Sequence, residues 1–492
     1  MSKSRSLGFL AGATLLCIVF APAPLLAQKK KPAEVPITTS SKEALALFQQ
    51  ARDKWDDVEI EAAASLLDQA IQKDPSFAMA YAYRALSGGG VALSRQNLDK
   101  ALGLAEKVSP GEKHWILATE AFVDGNAAKA TQEIDELLKL YPQDKRVHAF
   151  AGFYYGNIQS DLKTAMEHYT KATTIDKTYA ASYNQIGYLH SRLGQYGEAE
   201  QALKQYIALR PTSPNPYDSY AELLMKTSRY DESIAEYQKA LEKDPGFVSA
   251  YTGIGSDYVF KGDYAKARES YQRAFEQSPS VDGKTGALFW RTVSYVHEGK
   301  VDEALKSLED ARTFAEKENR IPNVINTHLQ AAFILGETGQ LAWSVKHLEK
   351  ASESLEKSSL PASVSDGLKL NILRGRARVL AAVHEFEAAR ALAEKCRTLA
   401  QTRNNPNDER NLQTLLAQIA LEEGKYDEAL DHLQKADPED PYNWFYKAAA
   451  LEKKGDRAAA SELYGKIVGW NQNDLGYAIV RPRALKKTAS KS

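Results

Sequence analysis

Cysteine is almost missing from this chain: 492 residues hold two, Cys17 and Cys396. That scarcity excludes a disulfide framework and any zinc module built on cysteine. An excess of one charge is missing too. Lys and Arg number 63 against 64 Asp and Glu, a net charge of -1. Nothing therefore offsets phosphates, and no nucleic-acid partner is expected. The chain is also not poor in apolar residues: 43% hydrophobic and 26% charged is a globular balance, not a disordered one.

The motifs of common active sites are absent in turn. The histidines are His114, His148, His168, His190, His297, His328, His347, His384 and His432. No two lie within a helical turn, and no His-Glu-x-x-His helix occurs, so no metal site is expected and they read as structural or exposed residues. No Gly-x-Ser-x-Gly elbow is present. Gly88-Gly89-Gly90 lacks the Lys-Ser/Thr of a phosphate loop and reads as a turn. Gly253-Ile254-Gly255 lacks a third glycine three residues on and reads as helix. No cofactor is expected.

The N-terminus stands apart. Lys3 and Arg5 precede an apolar run from Leu7 to Phe20, Ala21-Pro22-Ala23-Pro24 interrupts it, and Leu25-Leu26-Ala27 places a small residue before Gln28. Residues 1–27 read as a secretory signal peptide, although Lys29-Lys30-Lys31 directly after the cut opposes export. The alternative is an uncleaved anchor, because residues 7–27 approach the ~20 apolar residues of a spanning helix. Cys17 follows Leu15-Leu16, not a small residue, which disfavours a lipoprotein. The expectation is an exported protein, periplasmic or extracellular, with an N-terminal membrane anchor as the alternative and no integral span after cleavage. Residues 28–41, rich in Lys, Pro, Thr and Ser, read as a flexible linker.

The remainder is a repeat. Tyr183, Ile186, Gly187, Ala199, Leu203 and Pro211 are followed by Tyr217, Tyr220, Ala221, Ser233, Tyr237 and Pro245. Then come Tyr251, Ile254, Gly255, Ala267, Tyr271 and Pro279, each 34 residues after its counterpart. Tyr251, Ile254, Gly255 and Tyr258 share one face of a helix, and Ala267, Tyr271 and Ala274 share one face of another. Lys261-Gly262-Asp263 is the turn between them. Gly255 and Ala267 are small because the two helices cross there, and a large side chain would force them apart at about 1–3 kcal/mol.

This order of aromatic, small, aromatic and proline positions resembles the tetratricopeptide repeat (TPR) family of helix-turn-helix units. The small or apolar residue opening each second helix is read at Ala63, Leu98, Ala130, Ala165, Ala199, Ser233, Ala267, Ala304, Ser344, Ala389, Ala429 and Ala460. Twelve units follow. The fold class is all-α, and the resemblance implies a right-handed α-solenoid whose first helices line a concave groove. Residues 42–281 form a regular array of about seven repeats. Residues 282–474 form a second array with longer units, in which 318–325 and 355–369 read as long junctions. Residues 475–492 form a cap and basic tail: Leu475, Tyr477, Ile479 and Val480 inside, Arg481, Arg483, Lys486 and Lys487 outside. The fourth unit carries one extra residue in its internal turn. Cys396 falls at a core position that is alanine elsewhere. Trp115 and Trp290 are assigned to the core.

No stretch outside the array is long enough for a catalytic domain, so the chain reads as a non-enzymatic scaffold rather than an enzyme subunit. In the family, helix-A residues facing away from helix B line the groove. These are Asn184, Tyr188 and Arg192; Asp218, Glu222 and Lys226; and Thr252, Ser256 and Phe260. Their mixture suits a protein or peptide partner, as an extended peptide or a helix. It lacks the uniform Lys/Asn set with which some relatives clamp a C-terminal carboxylate. A structural or assembly component of the cell envelope or outer membrane is the alternative.

Overall fold

The computed structural model describes residues 34–88, 90–124, 126–403 and 405–489. The signal expected over 1–27, the first part of the linker and Gly89 lie outside them. The described residues hold 25 α-helices and no strand.

Twenty-four of the helices pair as hairpins. In the first four, α1 (Lys42–Asp56) pairs with α2 (Ile60–Lys73), α3 (Ala78–Ala85) with α4 (Val91–Leu104), α5 (Pro110–Val123) with α6 (Ala127–Leu140), and α7 (Lys145–Phe153) with α8 (Leu162–Ile175). Next, α9 (Ala180–Arg192) pairs with α10 (Tyr196–Leu209), α11 (Asn215–Lys226) with α12 (Tyr230–Lys243), α13 (Val248–Lys261) with α14 (Tyr264–Gln277), and α15 (Val281–Glu298) with α16 (Val301–Lys317). The last four pair α17 (Ile321–Glu337) with α18 (Leu341–Glu356), α19 (Ala362–Ala382) with α20 (Phe386–Arg403), α21 (Pro406–Glu422) with α22 (Tyr426–Leu433), and α23 (Pro441–Lys454) with α24 (Arg457–Val468). The final helix is α25 (Leu475–Ala489). This is the expected solenoid of about twelve repeats.

Close helix crossing accounts for the small residues. A Cβ on Gly255 would lie 2.4 Å from the Tyr271 ring, and one on Gly253 would lie 2.1 Å from Tyr237. The Gly253-Ile254-Gly255 pair therefore serves packing, against the tyrosine of its own hairpin and that of the one before. In the second hairpin the key position shifts by one turn from the sequence reading. Ser94, not Leu98, matches the opening residue: its hydroxyl donates to Ala85 O at 2.6 Å, as Ser233 does to Ala221 O and Ser344 to Ala332 O. The extra residue of the fourth unit is absorbed by a π-helical turn, Tyr154–Ile158, a wide turn that lengthens a helix by one residue without breaking it. The long junctions expected at 318–325 and 355–369 are mostly helix, because α17 starts at Ile321 and α19 at Ala362. Cys396 is fully buried among Ala389, Ala393 and Leu412.

First helices of successive hairpins pack on one another (α3 on α5, α11 on α13, α13 on α15, α17 on α19, α19 on α21), while successive second helices have no comparable contact. The array therefore curves with its first helices inside. Two long-range closures tighten the curve. The α1–α2 turn reaches across the inner face: Arg146 donates to Asp56 at 3.2 Å, Tyr179 Oη to Asp56 at 3.0 Å, and Arg210 Nε to Asp57 at 2.9 Å. At the other end, α25 turns back onto the inner face and packs on α15 and α23.

Two expectations about the ends are corrected. The described part of the linker is not loose. Val35 N–H donates to Asp144 at 2.8 Å, Thr38 N–H and Oγ1 to Glu112 at 2.8 and 2.6 Å, and Thr39 Oγ1 to Asp74 at 2.6 Å. Extended backbone needs partners for its donors, and three carboxylates at the hairpin edges supply them. The basic tail is not simply solvated either. Arg483 donates to Glu337 Oε2 at 2.9 Å and to its carbonyl at 2.8 Å, Arg481 lies over the Phe260 ring, and Lys487 pairs with Glu452 at 2.8 Å.

The histidines, scattered in sequence, meet in space. One pair of positions, a first-helix residue and the residue 19 or 20 later on its partner, recurs as His114–Glu133, His148–His168, His328–His347 and Gln413–His432. The two imidazole pairs approach to 3.0 and 3.1 Å between Nδ1 atoms. Burial, then the neighbouring ring, lowers His328 to about 4, and burial lowers His347. Neutral rings satisfy such a contact, because one nitrogen donates and the other accepts.

Two outcomes follow from this packing. Glu112→Ala removes the acceptor of Thr38 and of the Ser109 N–H. It is expected to cost about 2–3 kcal/mol in denaturant unfolding and to open residues 34–41 to limited proteolysis. For the imidazole pairs, the folded state binds protons less readily than the unfolded chain. Stability is therefore present above the unfolded value near 6.5 and falls as pH drops from 6.5 toward about 4. His328→Gln, which copies the Gln413–His432 arrangement, is expected to flatten that slope while leaving neutral-pH stability nearly unchanged.

Candidate functional site

The nine expected groove residues divide into two sets. Asn184, Tyr188, Asp218 and Glu222 stay together on the inner faces of α9 and α11. Tyr188 Oη donates to Glu222 at 2.6 Å and to Ser219 Oγ at 3.2 Å. Burial, then the Glu222 charge, raises Asp218 well above the usual carboxylate range; burial also raises Glu222, against the lowering effect of the Tyr188 hydroxyl. The two carboxyls form a largely buried acidic pair that holds protons more tightly than free carboxylates do. Arg192 is exposed and donates to Gly156 O at 3.2 Å.

The other members are turned to internal use. Lys226 sits over the Trp470 ring at 5.3 Å. Ser256 Oγ accepts from Asn473 Nδ2 at 3.2 Å, and Phe260 packs against Tyr477 and His297. Thr252 donates to Ser249 O in its own helix. The segment before α25 also bonds Ser228 and Tyr230 through Asn471. The groove of the sixth to eighth hairpins is thus covered by the chain's own C-terminus. Sequence reasoning placed that segment beyond the last unit, because nothing local in residues 469–481 signals a return.

Two cavities lie on the inner face. The first, about 430 Å³, lies within the curl of the first hairpins and is walled by Trp55, Tyr83, Trp115, Phe150, Phe153 and Tyr179. Tyr83, Trp115 and Phe150 stack in series from successive first helices, with ring centroids 5.8 and 4.6 Å apart. Trp115, assigned to the core, is indeed buried, yet its ring also faces this cavity. Asn184 reaches the same wall, and its Oδ1 is buried with no hydrogen-bond partner. The rim carries exposed apolar side chains, Phe153 at 41% and Val58 at 45%. Val58 also holds φ +64°, a strained conformation for a β-branched residue. Large rigid rings, apolar rims and one unpaired amide oxygen suit an aromatic or aliphatic side chain with a hydrogen-bond donor beside it.

The second cavity, about 490 Å³, lies between α17, α19 and α21 and is closed by the starts of α23 and α25. Its wall mixes apolar residues with polar ones: Asn326, Asn371 and Asn411 stand at equivalent positions of three successive units, and Arg374, Arg378 and Gln418 also line it. The sequence did carry a signal here. These asparagines are spaced exactly as Ser344, Ala389 and Ala429 are, but the longer units hid the register. Among the described residues no cluster of three or more His, Cys, Asp or Glu could hold a metal ion, and no helix is long and apolar enough to cross a membrane.

Comparison with known proteins agrees with the hairpins. A model described as the MalT-like TPR region matches residues 254–441. Tetratricopeptide repeat models match 168–201, 191–255 and 420–480. Anaphase-promoting complex subunit 3 of Schizosaccharomyces pombe is 24% identical over 217 residues, 42% of this chain and 31% of that protein. The chain thus spans about a third of that relative's length. TPR repeat-containing protein YpiA of Bacillus subtilis is 22% identical over 71% of this chain and 78% of its own. The solved structure of a tetratricopeptide repeat protein from Parabacteroides merdae covers 56% of this chain and 98% of its own, at 16% identity and a TM-score of 0.36. The family models and the stacked hairpins agree: the chain carries tetratricopeptide repeats, matched between residues 168 and 480.

Proposed function

We propose that this chain is an exported, non-enzymatic scaffold that holds a peptide or partner helix on its inner face. Tetratricopeptide repeats mediate protein–protein interactions, and the observation that carries the reading here is the aromatic-walled cavity with Phe153 and Val58 exposed at its rim. Exposed apolar side chains beside a concave, ring-lined wall mark an interaction surface. The partner site is thereby moved from the covered groove of the sixth to eighth hairpins to the curl of the first five. Asn184 belongs to both descriptions. Export rests on the basic start, apolar run and small-residue cut of residues 1–27.

Crosslinking the full chain in its native cell, with identification of the captured proteins, tests the scaffold. Phe153→Lys combined with Val58→Asn is expected to abolish capture of specific partners while the helical signal and melting curve stay intact; asparagine tolerates the left-handed conformation that valine resists. Unchanged capture by an intact double variant contradicts the assignment. For export, N-terminal sequencing of protein recovered outside the cytoplasm is expected to begin at Gln28. Cytoplasmic protein with residues 1–27 intact contradicts it.

A further inference from the structure

The cavity of the second array carries charged groups that form no ion pair among the described residues. Arg374 lines it from α19 and makes no ion pair among the described residues; its guanidinium donates only to the Asn371 side chain. Burial, with Arg378 adding to it, makes its charged form less favourable than usual. Arg378, one turn on, shares Glu337 with Arg483: the three-way group is complete at 2.9 Å to each guanidinium. Glu337 therefore has no capacity left for Arg374. Gln418, on the neighbouring α21, is nine-tenths buried at the same wall and makes no hydrogen bond among the described residues. Neither group is stranded away from solvent; both line the cavity with polar atoms left over for something that enters it.

The other side of the balance lies at the starts of α23 and α25. Asp440 and Asp474 line the same cavity, and each spends one oxygen on capping its helix, at 2.8 Å to Tyr442 N and 2.7 Å to Tyr477 N. Neither forms an ion pair among the described residues. Burial raises both, Asp440 to about 6 with the Asp474 charge contributing. The cavity wall thus carries a cation without an ion pair, two acids without one, and side-chain amides, among the described residues. A dianion such as phosphate would suit Arg374 but face the two acids. A ligand that is negative at one end, positive at the other and amide-like between satisfies every group.

We propose that this cavity binds a short peptide with both ends free: its carboxylate on Arg374, its ammonium at Asp440 and Asp474, and its backbone amides against Asn371 and Gln418. A volume of about 490 Å³ falls in the range of small-ligand sites. Phe333, Leu329 and Leu348 on the same wall leave room for an apolar side chain. The assignment goes beyond the scaffold reading and is independent of the aromatic cavity, so loss of one leaves the other standing.

Calorimetric titration of the full chain with Ala-Leu-Ala tests it, alongside the C-amide and N-acetyl forms of the same tripeptide and inorganic phosphate. Saturable binding of the free tripeptide is expected, with each blocked form weaker by about tenfold or more, because each loses a charge-assisted contact. Arg374→Gln is expected to abolish binding and Arg374→Lys to weaken it, with circular dichroism melts showing both folded. Asp440→Asn, which keeps the helix cap, is expected to weaken the free tripeptide but not the N-acetyl form. No binding of the free tripeptide at millimolar concentration overturns the proposal, as does unchanged affinity in folded Arg374→Gln. N-acetyl binding equal to that of the free form overturns it in favour of the carboxylate tail of a longer chain. Phosphate binding without peptide binding overturns it in favour of a simple anion site.

Discussion

One constraint governs the molecule: a helical hairpin of this size cannot bury its apolar stripe by itself. Each must lean on the next, and they can approach only where a small residue faces an aromatic ring. The Tyr271 ring rests on Gly255, and the Tyr237 ring rests on the backbone of Gly253 in the following hairpin. Neighbour-to-neighbour packing of this kind makes a quasi-one-dimensional core. One cluster joins the seventh to ninth hairpins with the last two and α25, from Val259 to Ala484, while α19 and α20 pack in a cluster of their own with α21. Because first helices pack on first helices more closely than second on second, the same packing forces curvature and creates an inner face.

Curvature alone would leave that face open. Here it is drawn together by contacts between residues far apart in sequence: Asp57 with Arg210 near one end, Asn473 with Ser256 and Tyr271 toward the other. These bonds are polar and specific, and those of Asn473 with Ser256 and Tyr271 are buried. Removing one partner would strand the other away from water, which costs more than the bond itself contributes. The chain therefore commits much of its inner surface to holding its own shape. The inner face also keeps two cavities of different character, one walled by rings and the other carrying amides and charged groups among apolar residues.

The sequence made the repeat legible because helix–helix crossing imposes the same small and aromatic residues every turn of the array. Twelve hairpins, the register of eleven of their second helices and the burial of Cys396 were all readable from that periodicity. Leu98 misled because Ser94 does the small residue's work through a hydroxyl-to-carbonyl bond. Among the expected groove residues, the partners of Lys226, Ser256 and Phe260 come from residues 470–477, more than two hundred positions away, and no local pattern encodes such a return. Asp74, Glu112 and Asp144 look like ordinary surface acids until the strap of residues 35–39 lies across them. The histidine pairs were hidden for a related reason: helical adjacency within one strand of sequence says nothing about adjacency across a hairpin.

The account depends on the C-terminal helix being part of the folded inner face and not a tail. Hydrogen exchange of the full chain, resolved by residue, measures this directly, since amides in a packed helix exchange only through opening of the structure. Slow exchange at Tyr477–Ala484, comparable with that of α15 on which the helix lies, is the predicted result. Exchange there at the rate of a free peptide, with α15 still protected, would contradict it.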